Sequence, residues 1–173
     1  MEEEGDDFFG DGSSADEAPP DNRSGARQIA LQALYSQISN TVNARDQVQM
    51  LSLQYKSSAA VKDFAKIIVD HVDNHIYDLD ALIKETSTQW SPERIARIDR
   101  IILRIGIVEL LYLKDVPARV AIDEAVHLAR AYSTAKSYAF VNGILDAIAK
   151  SKKINTKTRW FLMIFDITRH SNC

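Results

Sequence analysis

The stretch Ile98-Asp99-Arg100-Ile101-Ile102-Leu103-Arg104-Ile105-Gly106-Ile107-Val108-Glu109-Leu110-Leu111-Tyr112 decides the fold. Ile98, Ile101, Ile102, Ile105, Val108 and Tyr112 recur at the spacing of one helical face, while Leu103, Ile107, Leu110 and Leu111 cover the other sides. A helix that is apolar nearly all round must be enclosed by others, so this stretch belongs at the centre of a bundle. Its charges then need partners or water, because a lone buried ion is costly. Arg104 and Glu109 are expected to pair internally. Asp99 and Arg100, nearer the helix start, are placed to meet another protein.

Working outward, the flanking segments carry the same period. Upstream, Trp90-Ser91-Pro92-Glu93 restarts the chain: Ser91 suits an N-cap, Pro92 the first helical position, and Glu93 the positive end of the helix dipole. One long helix is expected over about 59–86, with Phe64, Ile67, Ile68, Val72, Ile76, Leu79, Leu82 and Ile83 on a wide stripe, and a weaker one over 43–56. The first helix, from about residue 23, has Leu31, Leu34, Tyr35 and Ile38 on its apolar side and Gln28, Gln32 and Ser36 on a polar face. Downstream, Pro117 opens a helix that turns Ile122, Ala125, Val126, Ala129 and Tyr132 inward, where small residues allow close approach. A last helix follows Ser137. No strand-like alternation competes, and only six Gly and four Pro interrupt 173 residues. The fold class is all-α, a compact bundle of six to seven helices.

The two ends differ from this middle. Residues 1–21 hold nine acids and no Lys or Arg, whereas the rest of the chain holds all 21 Lys and Arg against 15 acids. The overall charge of −3 therefore hides an acidic tail on a mildly basic body. With so little apolar surface the tail, 1–21, is expected to be disordered. Residues 151–173 form an extension that is basic through Arg159 and then mostly apolar from Trp160 to Ile167, too short to span a bilayer. The start Met1-Glu2-Glu3-Glu4 lacks the basic flank and apolar stretch of a signal peptide, and the single Cys173 excludes an internal disulfide. A cytoplasmic protein fits these features.

No catalytic arrangement stands out. His71 and His75 lie four apart on a helix, but no third ligand accompanies them, so two polar-face imidazoles are expected rather than a metal site. Gly106 and Gly143 sit inside helical patterns, where close packing is the plainest reason for glycine. Gly143, after Asn142, would also let a nucleic-acid backbone approach. Arg23 and Arg27, one turn apart, continue into Gln28, Gln32 and Tyr35. Cation, amide and aromatic in sequence match single-stranded RNA, whose phosphates take charge and whose bases take stacking and hydrogen bonds, but two arginines at a helix end are more often a plain solvated face.

The string Ala26-Arg27-Gln28-Ile29-Ala30-Leu31-Gln32-Ala33-Leu34-Tyr35-Ser36 resembles the opening helix of the NusB family. Trp90 to Ile95, Asp99 to Arg104, Val116 to Ala125 and Ser137 to Asp146, the last containing Phe140-Val141-Asn142-Gly143, resemble its C-terminal half in order and spacing. The resemblance covers about 23–150, so 22–150 is taken as one NusB-like helical RNA-binding domain. It implies two packed helical subdomains, no catalysis and no cofactor. It also implies a mechanism of assembly: pairing with NusE, a small-subunit ribosomal protein, binding of boxA RNA in ribosomal RNA leaders, and entry into the antitermination complex of RNA polymerase. The sequence is compatible with either a monomer or a homodimer.

By position the RNA surface would comprise Arg23, Arg27, Gln28 and Tyr35, with Lys136, Phe140 and Asn142 near the second motif. Asp99 and Arg100 would serve the partner. Many relatives carry a denser arginine cluster near residues 23–27 and acids where Ala135-Lys136 stands. Fewer arginines mean fewer phosphate contacts and a shallower salt dependence, which Lys136 would partly offset. The alternative is a helical protein-interaction scaffold without RNA binding. A leader of an rRNA methyltransferase is disfavoured because no cofactor domain is seen after residue 150.

Overall fold

The structure, a computed structural model, describes residues 17–39, 42–88 and 95–156. Among them seven helices occur and no strand: α1 (Arg23–Ser39), α2 (Ala44–Gln54), α3 (Ala59–Asn74), α4 (Ile76–Thr86), α5 (Arg97–Leu111), α6 (Ala118–Tyr132) and α7 (Ser137–Ser151). Helices α1, α2 and α3 pack on one another, and α5, α6 and α7 do the same, with α4 laid against α5 and α7. Helix α5 joins them by touching α1 and α3 as well as α4, α6 and α7. This is the central position that its all-round apolar surface demands: Ile101, Ile102, Leu103, Ile105, Ile107 and Val108 are closed to water.

Close approach explains one glycine and not the other. A Cβ on Gly106 would lie 2.7 Å from Leu145 Cδ1 and 3.4 Å from the Ala125 Cβ, so α5, α6 and α7 meet where only a hydrogen fits. Ala121, Ala125 and Ala129 on α6 are all buried. Around Gly143, by contrast, nothing lies within 4 Å of an added Cβ, so internal packing does not account for it.

Several boundaries depart from the sequence reading. The helix expected over 59–86 is two helices, broken at His75 (φ −119°, ψ 15°), because α3 packs on α1 and α2 while α4 turns toward α7. The restart at Ser91-Pro92 lies outside the described residues, and helix α5 begins at Arg97. The acidic tail meets the fold before residue 22. The Pro20 carbonyl covers Gly25 so closely that a Cβ there would be 1.8 Å from its oxygen, and Asp21 accepts from the Ser58 N–H at 2.8 Å.

Helices α2 and α7 end alike. After α2, Ser57 N–H reaches the Ser52 carbonyl at 2.9 Å across Lys56. After α7, Ile154 N–H reaches Ala149 at 2.8 Å across Lys153. These six-to-one closures need a left-handed residue, and both lysines take it (φ 53° and 55°) where glycine is the usual choice. Ile154 then packs against the core, fixing the start of the C-terminal extension. No helix among the described residues is long and apolar enough to cross a membrane.

Candidate nucleic-acid and partner interface

Helix α1 places Arg23, Arg27, Gln28 and Tyr35 in three different environments. Arg27 is 2% exposed and donates to both carboxylate oxygens of Glu109, at 2.8 and 2.7 Å. Glu124 stands 3.5 Å from the same guanidinium and accepts from Ser24 at 2.7 Å. The reading of Arg27 as a phosphate contact is therefore corrected: its donors face the interior, and it ties α1 to α5 and α6. The expected Arg104–Glu109 pair is corrected with it, since Arg104 instead holds Asp80 through two bonds of 2.8 Å. Burial pushes the Glu109 carboxyl above its ordinary range, and the hydrogen bonds from Arg27 pull the other way.

Arg23 is the exposed arginine of the pair. It lies 4.7 Å over the Phe64 ring and bonds Asp115 at 2.6 Å, which holds that carboxyl below its ordinary value. An ion pair with both side chains more than half exposed is weak and open to exchange, so the guanidinium remains accessible to an anion.

Along the polar face, two tyrosines set the glutamines. Tyr132 donates to Gln28 Oε1 at 3.2 Å, and Tyr55 donates to Gln32 Oε1 at 3.0 Å. The Tyr132 hydroxyl also lies against the Gln32 amide. Burial pushes this phenol up, and the contact with Gln32 opposes the shift. Two cavities flank Tyr132. One of about 510 Å³ is lined by Leu31, Gln32, Tyr35, Ser36, Leu51, Ile98 and Tyr132, and Tyr35 is 46% exposed at its edge. The other, about 200 Å³, is lined by Ser24, Gln28, Glu124, His127, Leu128, Ala131 and Tyr132.

The start of α7 adjoins the larger cavity through chain neighbours of its lining. Asp99, next to Ile98, accepts from Ser133 at 2.6 Å and Ser137 at 2.8 Å, and is 6% exposed. Asp99 as a partner contact is thus also corrected: both its oxygens hold the α6–α7 turn. Arg100, beside it, is half-buried. The same turn carries exposed Lys136, then half-buried Phe140 and exposed Asn142 on α7. Arg130, which the sequence reading passed over, stacks 3.8 Å over Tyr138. The helical period alone signals it, because it falls on the outward side of the stripe holding Ala125 and Ala129. His71 and His75 do not converge on a metal position. They stack with Tyr112, whose ring centroid is 5.3 Å from one and 4.2 Å from the other.

Residues 24–150 match the model of the NusB family. The chain belongs to the NusB family. A transcription antitermination protein NusB from Finegoldia magna is 36% identical over 132 residues, covering 76% of this chain and 96% of that protein. The solved T. maritima NusB superposes with a TM-score of 0.69 at 32% identity, over 75% of this chain and 91% of that one. A further structure, described as antitermination factors NusB and NusE in complex with dsRNA, gives a TM-score of 0.67 at 29% identity, over 75% and 96% of the two chains. Within this NusB-family chain, the buried Arg27–Glu109 pair and the Asp99 turn are parts of the scaffold, and Arg23, Gln28, Tyr35, Lys136, Phe140 and Asn142 are what reaches its surface.

Proposed function

We propose that this chain is an RNA-binding transcription antitermination adaptor that pairs with a NusE-type ribosomal protein, and that the pair binds boxA RNA in ribosomal RNA leaders within the RNA polymerase antitermination complex. The observation that carries the reading is the NusB match over 24–150 together with the likeness to a NusB solved with NusE and RNA. The role is assembly and not catalysis, carried out in the cytoplasm without a cofactor. Two modest surfaces acting together raise affinity through effective concentration. The surface proposed for RNA is Arg23, Gln28, Tyr35, Lys136, Phe140 and Asn142, with Arg100 toward the protein partner. The 22–150 domain is the functional unit between the two terminal extensions.

A second reading, an interaction scaffold without RNA binding, draws support from the two arginines of α1: Arg27 is buried and Arg23 holds Asp115. Titration of boxA-type RNA with the chain alone and with NusE separates the two. The adaptor binds RNA weakly alone and more tightly as the pair. A chain that binds NusE but adds nothing to the RNA affinity of NusE is the scaffold.

A further inference from the structure

The acidic tail meets the fold at the foot of a groove. The Pro20 carbonyl lies so close over Gly25 of α1 that no Cβ fits there, and Asp21 accepts from the Ser58 N–H of the α2–α3 turn. The chain before α1 is thus held between α1 and that turn. Gly25, Gln32 and Ser36 stand at i, i+7 and i+11, on one line of α1. The line leads from the foot of the tail to the cavity of about 510 Å³, which Gln32 and Ser36 share with Leu31, Tyr35, Leu51 and Ile98.

This cavity is apolar and open. Leu31, Leu51 and Ile98 offer it only hydrocarbon, and Tyr35 at its edge keeps 46% of its surface exposed. An engineered cavity of about 150 Å³ takes one benzene ring, so there is room here for two aromatic side chains. Covering such walls removes apolar surface from water and is favourable.

The tail supplies an occupant. Residues 1–16 hold seven acids, and their only aromatic residues are the adjacent Phe8 and Phe9, bracketed by Asp6, Asp7 and Asp11. Eleven residues lead from Phe9 to Pro20 and can span up to about 36 Å. From Gly25 to Ser36 along α1 is about 16 Å, so the tail reaches the cavity with chain to spare. Charge agrees with reach. Lys56, next to Tyr55, and Arg97, next to Ile98, are both exposed, so cations flank the place where the acids beside the phenylalanines would lie.

We propose that the acidic tail folds back along α1 and seats Phe8 and Phe9 in the cavity beside Tyr35. The chain then carries its own reversible competitor for that surface. Two buried rings give the hold its strength, and the entropy lost in ordering a polar tail keeps it displaceable. The docking stands on the tail and the cavity alone. The competition rests on the RNA-binding reading above, which places Tyr35 in the RNA surface.

Methyl NMR of the full chain, with RNA titrations at fixed salt, tests both parts. In the wild type, ring currents from the two phenylalanines shift the Leu31, Leu51 and Ile98 methyl signals. Phe8→Ser combined with Phe9→Ser moves those signals and leaves the methyls of Ile107, buried in α5, in place. This double variant keeps every charge of the tail, so its effect is that of the rings. Gly25→Ala, whose Cβ would stand 1.8 Å from the Pro20 oxygen, lifts the tail at its foot and moves the same signals the same way. Both variants bind RNA about tenfold more tightly than the wild type, the factor by which occupation for about nine-tenths of the time lowers apparent affinity. Identical methyl signals in the wild type and the double variant overturn the docking. So do differences that vanish on dilution, since the occupant would then be the tail of a second copy. Moved signals with unchanged RNA affinity overturn the competition and leave the docking standing. No RNA binding by any form, alone or with NusE, overturns the adaptor reading, while the methyl signals still decide the docking.

Discussion

Arg27 on α1 grips Glu109 on α5 with two parallel hydrogen bonds of 2.8 and 2.7 Å, and neither side chain exposes more than 3% of its surface. This pair sits where the first helical group meets the central helix, so it bears on stability more than on ligands. Arg27→Ala leaves Glu109 buried without its partner, and the expected cost is about 3–5 kcal/mol. Replacing both charges, Arg27→Met with Glu109→Leu, is expected to cost far less. Urea unfolding of the single and double variants checks this. Equal losses in the two would mean that shape and not charge dominates there.

The same carboxylate gives a pH dependence of definite sign. Burial raises the Glu109 pKa above its ordinary 4.5. Between 4.5 and the raised value the folded chain holds a proton that the unfolded chain has released. Stability from this group therefore falls as pH rises through that window, and is full below it. Glu109→Gln should flatten that decline. Unfolding free energies for the wild type and Glu109→Gln, taken from pH 4.5 upward, give the difference. A gap between them that does not change with pH would show that Glu109 titrates alike in the folded and unfolded chains.

Lys56 and Lys153 occupy left-handed positions that favour glycine. Lys56→Gly and Lys153→Gly are each expected to stabilise by about 0.5–1 kcal/mol, because the relief of Cβ crowding exceeds the added entropy of the unfolded chain. Differential scanning calorimetry checks both. A lower Tm for either would indicate that the lysine side chain contributes packing that outweighs its strain.

How far the sequence could be read divides along physical lines. The centrality of α5 was legible because the isoleucines at 98, 101, 102 and 105 and Leu103 and Ile107 leave no polar side wide enough for water. The burial of Arg27 was missed because Arg23, four residues before it, made the two look like one solvated end. The signal was present in two halves: Arg27 falls on the line of Leu31 and Leu34, and Glu109 stands alone in an apolar helix. Two orphan charges on apolar faces are candidates for each other, yet 82 positions separate them and only tertiary packing joins them. Asp99 was misjudged for a like reason, since its partners Ser133 and Ser137 belong to the turn beyond the next helix, between α6 and α7. The break at His75 carries neither glycine nor proline; the directions of α3 and α4 impose it. On the candidate surface, Arg23, Gln28 and Tyr35 were legible as a polar–aromatic face, whereas the part of Tyr132 between two cavities was not, because its spacing marks it simply as inward.

The RNA surface is tested most sharply by separating charge from stacking. Arg23 is exposed and its ion pair with Asp115 is weak, so Arg23→Ala should lower boxA affinity and reduce the magnitude of the salt slope by about one. Lys136→Glu, at the exposed turn before α7, should act in the same direction. Tyr35→Ala removes an aromatic face at the edge of the larger cavity, so it should weaken binding by about 1–3 kcal/mol with little change in slope. Arg27→Ala provides the contrast, because its donors are spent on Glu109: it should lower Tm strongly and leave the salt slope of the folded fraction unchanged. Equilibrium binding at several salt concentrations, with circular dichroism melts of every variant, gives all four results. A salt slope that drops with Arg27→Ala and stays fixed with Arg23→Ala and Lys136→Glu would reverse the assignment. It would mean that RNA draws Arg27 out of its pair with Glu109, and that α1 moves away from α5 on binding.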